Sequence, residues 1–306
     1  MHAIEVRNLS KRYGDHLAVE DVSFDVRRGE VFCLLGPNGA GKSTTAEILE
    51  GHRARSGGSV GVLGHDPEHA GRALRERIGI VLQECGVPLE LTVGELLAMY
   101  GRPFPRRRPA GELIELVGLE GKRDARAGTL SGGQRRRLDL ALALVGDPDV
   151  VFLDEPTTGF DPSARRGAWA AIRNLCALGK TVFLTTHFMD EAQALADRIA
   201  VLRAGRIVAE GTPDELGGRS RLPATVRFLA PAADTLPGVP GAEVARDGRH
   251  VTVTGADAAA TAHAVTTWAH DHGLALADFS VTRPTLEDVY LHLTEPAGAG
   301  VEEALR

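Results

Sequence analysis

The sequence predicts an α/β protein built on a largely parallel sheet, and three observations carry that expectation. A glycine-rich loop at residues 36–44 (GPNGAGKST) stands between an apolar run at 30–35 and a helix-compatible run at 43–50. Two further apolar runs, at 150–155 and 181–186, read as buried parallel strands that end in polar residues. Beyond Gly217 and Gly218 the composition shifts to alternating, strand-like segments separated by two helical ones, a separate α+β unit. At 306 residues the chain is long for one domain. The predicted domains are 1–217, with a helical region at about 84–145, and 218–306.

The loop fits the phosphate-binding pattern G-x-x-x-x-G-K-[ST], with a strand before it and a helix after it. Gly36, Pro37, Asn38, Gly39, Ala40, Gly41, Lys42, Ser43 and Thr44 are therefore candidate nucleotide-binding residues. Glycines let backbone N–H groups converge on a polyphosphate at a helix end that carries partial positive charge. Lys42 adds a point charge for the outer phosphates, and Ser43 offers a hydroxyl to Mg²⁺. A nucleoside triphosphate is the implied ligand.

In order, residues 2–7 alternate as a strand, 13–15 read as a turn, and 17–26 as the second arm of a hairpin. Tyr13, beside that turn, either stacks on a flat ring such as adenine or simply packs. A short β element is expected at 57–64, and a helical turn running into a strand at 72–82. That strand ends on Gln83, which reaches Mg²⁺ or a water, or else is a surface amide. Residues 91–119 read as helical, with Thr92 or Thr129 as caps, interrupted by prolines around Arg106–Arg108, which read as a solvated connection. Leu130, Ser131, Gly132, Gly133 and Gln134 precede a strong helix at 135–145. A serine, two glycines and a helix N-terminus make a second anion-binding surface, or a capped helix and nothing more. Arg135–Arg137 either compensate acids such as Asp139 or Asp147 or are solvated.

The strand at 150–155 ends in Asp154 and Glu155. At the carboxyl end of such a strand Asp154 suits the holding of Mg²⁺ and Glu155 the polarising of an attacking water, unless the pair caps a turn. His187 ends the strand at 181–186, either structural or in contact with the terminal phosphate. A helix at 190–196, a hairpin at 198–209 and a short helix opened by Thr212 and Pro213 follow. In the last third, strands at 224–229, 250–254 and 276–281 and helices at 256–270 and 285–293 suggest a βαβ-type unit. No catalytic constellation falls there.

Composition narrows the function. A formal net charge of −6 argues against a nucleic-acid partner held by a broad positive field. No apolar run approaches the ~20 residues that span a bilayer, and the first ten residues lack the apolar segment of a secretory signal. Three scattered cysteines, Cys33, Cys85 and Cys176, suit a reducing cytosol.

Taken together, the motifs resemble the nucleotide-binding subunit of ABC transporters. Residues 36–44 are similar to that family's Walker A motif, 150–155 to its Walker B strand with the catalytic glutamate, and Leu130–Gln134 to its LSGGQ signature without substitution. Gln83 resembles the Q-loop glutamine, His187 the switch histidine and Tyr13 the adenine-stacking aromatic. Gly159-Phe-Asp-Pro162 resembles the D-loop, with Asp161 in place and Phe160 where leucine is more usual. The resemblance implies a P-loop NTPase sheet with an antiparallel β subdomain and a helical signature subdomain, and ATP and Mg²⁺ as cofactors. Glu155 and His187 would be catalytic, and Ser43, Gln83 and Asp154 would serve the metal. It further implies a head-to-tail homodimer in which Ser131 and Gly133 of one copy close over ATP held by Lys42 of the other. A separate membrane permease would be driven from the cytoplasmic face, docking near residues 84–119. Residues 135–145 and 284–290 (PTLEDVY) resemble the daunorubicin-resistance, ABC-2 type exporters, implying export of a drug or antibiotic-like compound. An importer ATPase, a polysaccharide or lipid exporter subunit, and a soluble ABC ATPase outside transport are the alternatives.

Overall fold

The first twenty-seven residues form one hairpin, β1 (His2–Tyr13) and β2 (His16–Arg27), closed by a turn at Gly14. The computed structural model describes residues 1–81, 86–230 and 238–294. Strand β4 (Gly57–Val62) pairs with the other edge of β1, giving an antiparallel sheet in the order β2-β1-β4. Its inward residues, among them Ile4, Val6, Leu9, Val22 and Phe24, alternate with exposed ones as a half-buried sheet requires.

The second sheet carries the chemistry. Strands β3 (Val31–Leu35), β5 (Ile78–Val81), β6 (Val150–Asp154), β7 (Thr181–Thr186), β8 (Arg198–Arg203) and β9 (Arg206–Gly211) lie in the order β5-β6-β7-β3-β8-β9. All pair in parallel except β9, which closes a hairpin with β8. Being covered on both faces, β3 and β7 have every residue buried. The core lies between the two sheets, where Phe24 stacks on Phe32 with ring centroids 5.0 Å apart and Phe32 on Phe183 at 6.0 Å. Burial of rings of this size stabilises the fold by roughly 2–3 kcal/mol each.

Helix α1 (Lys42–Leu49) follows the glycine-rich loop, and α2 (Gly71–Arg75) leads into β5. The helical run expected at 91–119 is divided into α3 (Val93–Gly101) and α4 (Ala110–Leu116), because the prolines between them break it. Thr92 caps α3 in a reciprocal box with Glu95. Thr129, the other expected cap, instead lies in a short 3₁₀ turn, and Ser131 caps α5 (Gly132–Ala143). Arg106 and Arg107 are exposed as expected, but Arg106 and Arg108 also pair with Asp147, at 2.7 and 2.9 Å, together with Lys180 at 2.7 Å. Asp147 is thereby taken, and it is not the partner of Arg135–Arg137. Arg137 donates to the Gly118 carbonyl instead, at 2.8 Å. Helix α6 (Pro162–Ala177) links β6 to β7, and α7 (Met189–Leu195) links β7 to β8. Among the described residues no helix is long and apolar enough to cross a membrane.

The chain divides into two compact units, residues 1–213 and 214–306. In the second, β10 (Ala224–Leu229), β11 (Glu243–Asp247), β12 (His250–Gly255) and β13 (Ala277–Thr282) form an antiparallel sheet in the order β11-β12-β10-β13. Helices α8 (Ala258–Asp271) and α9 (Leu286–Thr294) complete it. Strands β12 and β13, joined through α8, flank β10, so the βαβ unit is split by an intervening strand. Strand β11, which the sequence reading passed over, is short and almost wholly exposed. The helix expected from Thr212 lies later, as 3₁₀ turns between Leu216 and Arg221 broken by a kink at Gly217 and Gly218, whose φ values are positive.

Candidate nucleotide site

The glycine-rich loop turns from the end of β3 into α1 at the mouth of the parallel sheet, where strand ends open into a crevice. Gly41, the N-cap of α1, has φ of 105°, a backbone that side-chain-bearing residues rarely adopt. A Cβ at Gly36 would sit 2.3 Å from the Leu202 carbonyl oxygen, so only glycine lets the loop lie this close to β8. No side chain caps α1, and its first N–H groups face the crevice as an anion site. A cavity of about 460 Å³ opens there, lined by Tyr13, Asn38, Gly39, Gly41, Lys42, Ser43, Thr44 and Glu155. Tyr13 is half-exposed at its edge, with Lys11 Nζ 5.0 Å and the Arg53 guanidinium 5.3 Å from its ring centre.

Lys42 is 4% exposed. Its ammonium donates to the carbonyls of Gly36 at 2.8 Å and Pro37 at 3.1 Å, and lies 3.3 Å from Glu155 Oε1. His187 Nδ1 is 3.1 Å from the same oxygen. Glu155 follows the last residue of β6 with φ of 45°, a left-handed conformation that costs a non-glycine residue roughly 1–2 kcal/mol. Its N–H donates to the Thr185 carbonyl at 3.0 Å, and its Oε2 accepts from the Thr158 hydroxyl at 3.3 Å. Burial pushes the Glu155 carboxyl up, but the His187 hydrogen bond and the Lys42 charge outweigh it and hold the group below the usual carboxylate range. The acid at this position is therefore ionised.

Asp154 ends β6 with Oδ1 3.4 Å from the Ser43 hydroxyl and accepting from Thr185. Ser43 and Asp154 are hard oxygen donors converging on one mouth, and this donor set suits Mg²⁺. Gln83, the third expected metal residue, lies outside the described residues.

The signature residues are not among those lining the cavity at this loop. Ser131 and Gly132 are exposed, and Leu130 is buried beneath them. The Ser131 hydroxyl accepts from the Gln134 N–H at 3.3 Å while Gln134 Oε1 accepts from the Ser131 N–H at 3.0 Å. That reciprocal box uses an oxygen lone pair and leaves the serine proton to donate outward. A Cβ on Gly133 would press on Ala164 at 3.3 Å, so small size holds α5 against α6 there. Asp161 caps α6, its Oδ1 accepting from the Ala164 N–H at 2.9 Å, with Pro162 at the first helical position.

Three further residues shape the site. Arg136 donates to the carbonyls of Asp154 at 3.2 Å and Pro156 at 3.1 Å, tying the signature helix to the strand end that carries both acids. Its Nη1 is also 3.9 Å from Asp139, so the compensation expected of this run falls to Arg136 and Asp139. Thr185 fixes Asp154 from β7, and a polar residue inside a fully buried strand was the available signal for it. Glu191, fully buried on α7, had no sequence signal beyond being a carboxylate shortly after His187.

The chain is similar to known proteins over much of its length. Residues 19–158 match the ABC transporter family, and residues 221–285 match an ABC transporter domain-containing protein-like C-terminal domain. The Nod factor export ATP-binding protein I of Burkholderia lata is 47% identical, over 70% of this chain and 72% of that protein. Its counterpart from Rhizobium johnstonii is 48% identical, over 70% of each. Among solved structures, the ADP conformation of an ATP-binding cassette of an ABC transporter superposes with a TM-score of 0.63 at 27% identity, covering 70% of this chain and 92% of that one. The chain belongs to the ATP-binding subunits of ABC transporters, ATPases whose hydrolysis is coupled to transport.

Proposed function

We propose that this subunit powers export through a separate ABC-2 type permease, working as a head-to-tail homodimer that clamps two ATP molecules. The observation that carries the reading is a pair of helix N-termini on one chain whose chemistry suits anions. The α1 end is built around Lys42, and the α5 end presents an outward hydroxyl at Ser131 with exposed backbone beside it. In the dimer, Ser131 and Gly133 of one copy meet the terminal phosphate of ATP held on the other copy's loop, with Asp161 at the seam. Tyr13 stacks on the adenine. Ser43 and Asp154, with Gln83, hold Mg²⁺, which neutralises charge on the outer phosphates when bound. Glu155, ionised, orients the attacking water, and His187 contacts the terminal phosphate. Loss of that phosphate removes the bridge between copies and lets them part.

The subunit lies against the cytoplasmic face of the membrane through its permease. A cavity of about 420 Å³ beside α3, lined by Val87, Tyr100, Phe104, Leu142 and Glu50, supports docking there. Relatives named for Nod factor export support the outward direction, and the resemblance of residues 284–290 suggests a drug- or antibiotic-like cargo. Inverted vesicles containing the permease and this subunit should take up cargo when ATP is added outside, and should fail to do so with Glu155→Gln. Uptake that does not depend on ATP, or that Glu155→Gln leaves intact, contradicts the proposal.

A further inference from the structure

Glu191 is an acidic residue with no exposed surface, four residues beyond His187 and without a part in the roles given above. Its Oε1 accepts two hydrogen bonds, from the Thr157 hydroxyl at 2.7 Å and from the Trp169 indole N–H at 3.2 Å. The two donors come from different segments. Thr157, itself fully buried, lies in the turn that follows Glu155 and Pro156. Trp169 lies on α6, the helix that Asp161 caps. Glu191 itself stands in the first turn of α7, four residues after His187.

The rest of the α6–α7 contact repeats this arrangement. Arg165 is one helical turn before Trp169, so both project from one face of α6. Arg165 pairs with Asp190 at 2.9 Å, and its guanidinium stands 4.6 Å from the Phe188 ring centre. The Phe188 ring in turn lies against the His187 imidazole, centroids 4.0 Å apart. Phe188, Asp190 and Glu191 are thus each contacted from α6, Glu191 also from the turn beyond Glu155, while His187 is held by Glu155 itself. Burial pushes the Glu191 carboxyl above the usual range, while Thr186, Thr157 and Trp169 favour its charge. Taking a carboxylate wholly out of water is costly unless it is hydrogen-bonded. Its Oε2 is buried without a hydrogen-bond partner among the described residues, so the cost is met at Oε1, by the bonds from Thr157 and Trp169 that join separate segments.

We propose that Glu191 is a positioning residue, whose buried carboxylate locks the turn after Glu155 and helix α6 to the first turn of α7 and so keeps Glu155 and His187 in register for hydrolysis. The inference rests on the proposed roles of those two residues. In such a device the lock acts on turnover and not on nucleotide capture, because none of its members lines the phosphate loop.

Four variants test it by steady-state ATP hydrolysis and by ATP binding, on full-length protein: Glu191→Gln, Glu191→Ala, Trp169→Phe and Glu155→Gln. Glu191→Gln keeps an acceptor oxygen for both donors and should stay within about twofold of the parent. Glu191→Ala and Trp169→Phe should lower kcat roughly tenfold, as a small misplacement of reacting groups does, with KM and ATP affinity within about twofold. Trp169→Phe retains the ring and removes the N–H donor, so it keeps the test open if Glu191→Ala does not fold. Normal kcat in Trp169→Phe and Glu191→Ala overturns the inference, and so does a fall in kcat matched by an equal loss of ATP affinity. Glu155→Gln separates the two levels: if it hydrolyses ATP normally, the underlying role assignment fails. If it is inactive while Trp169→Phe and Glu191→Ala are normal, only the positioning role fails.

Discussion

Buried Lys42 and partly buried Glu155 form an ion pair, Nζ to Oε1 3.3 Å, at the mouth of the parallel sheet. A phosphate arriving at the loop competes with the carboxylate for that ammonium. Replacing Glu155 by glutamine therefore has two consequences. Hydrolysis should fall by about 10²–10⁴-fold, the usual worth of a positioned general base. ATP should bind roughly tenfold more tightly, because Lys42 no longer has a charged competitor and the site carries one negative charge fewer. Phosphate release and a nucleotide titration measure the two. Unchanged affinity would mean the ion pair does not oppose phosphate binding.

Ser131 has two separable jobs, capping α5 and presenting a proton outward, and two substitutions split them. Ser131→Ala loses the box with Gln134 and should cost about 1 kcal/mol of stability. Ser131→Asp retains a cap and suits the helix dipole, so thermal stability should match the parent. Its carboxylate would nevertheless face nucleotide phosphates across the dimer, where like charges cost several kcal/mol, and ATPase activity should fall by roughly 100-fold or more. Melting curves and hydrolysis assays on both proteins check this. An active Ser131→Asp would place the serine away from any phosphate.

Tyr13 should set nucleotide-base affinity alone. Loss of a base–aromatic stack costs about 1–3 kcal/mol, so Tyr13→Ala should weaken ATP binding roughly tenfold or more, and Tyr13→Trp should restore it. If inorganic triphosphate binding falls equally, the ring does not act on the base.

Asp147 gives a pH-dependent contribution to stability. Burial pushes its carboxyl up, but Lys180, Arg108 and Arg106 draw it further down, from an ordinary 3.8 to about 2. A pKa depressed by folding contributes stability that is present above the unfolded value and lost as pH falls through the folded one. Asp147→Asn should therefore cost about 1 kcal/mol near neutrality, discounted because Arg106 stands largely in water. The gap should persist down to pH 4 and close between pH 4 and pH 2. Urea unfolding at a series of pH values measures it, and a gap that widens in acid would contradict the assignment.

Much of the sheet was legible because buried parallel strands leave continuous apolar runs, and residues 150–154 and 181–186 could be read in no other way. The phosphate loop was legible because its glycines answer a backbone need. Neither rule reaches Arg136 or Glu191. Their partners are carbonyls, hydroxyls and an indole N–H brought close by tertiary packing, and no spacing along the chain encodes that. The same limit explains Arg106 and Arg108, whose run is exposed as read but whose pairing with Asp147, about forty residues on, no spacing announces. Helix boundaries near 102–131 shifted for a local reason. Prolines ended one run early, and Ser131 competed successfully with Thr129 as a cap because Gln134 completes its box.

The most direct measurement is a cross-link between copies. In protein with its native cysteines replaced and carrying Glu155→Gln, Ser131→Cys and Asn38→Cys, a mild thiol oxidant added with ATP should produce a disulfide-linked species of twice the 32.5 kDa chain mass, and the same oxidant with ADP should not. Failure to cross-link with ATP, while the same protein binds ATP and remains folded, would contradict a dimer in which the α5 end of one copy closes over the loop of the other.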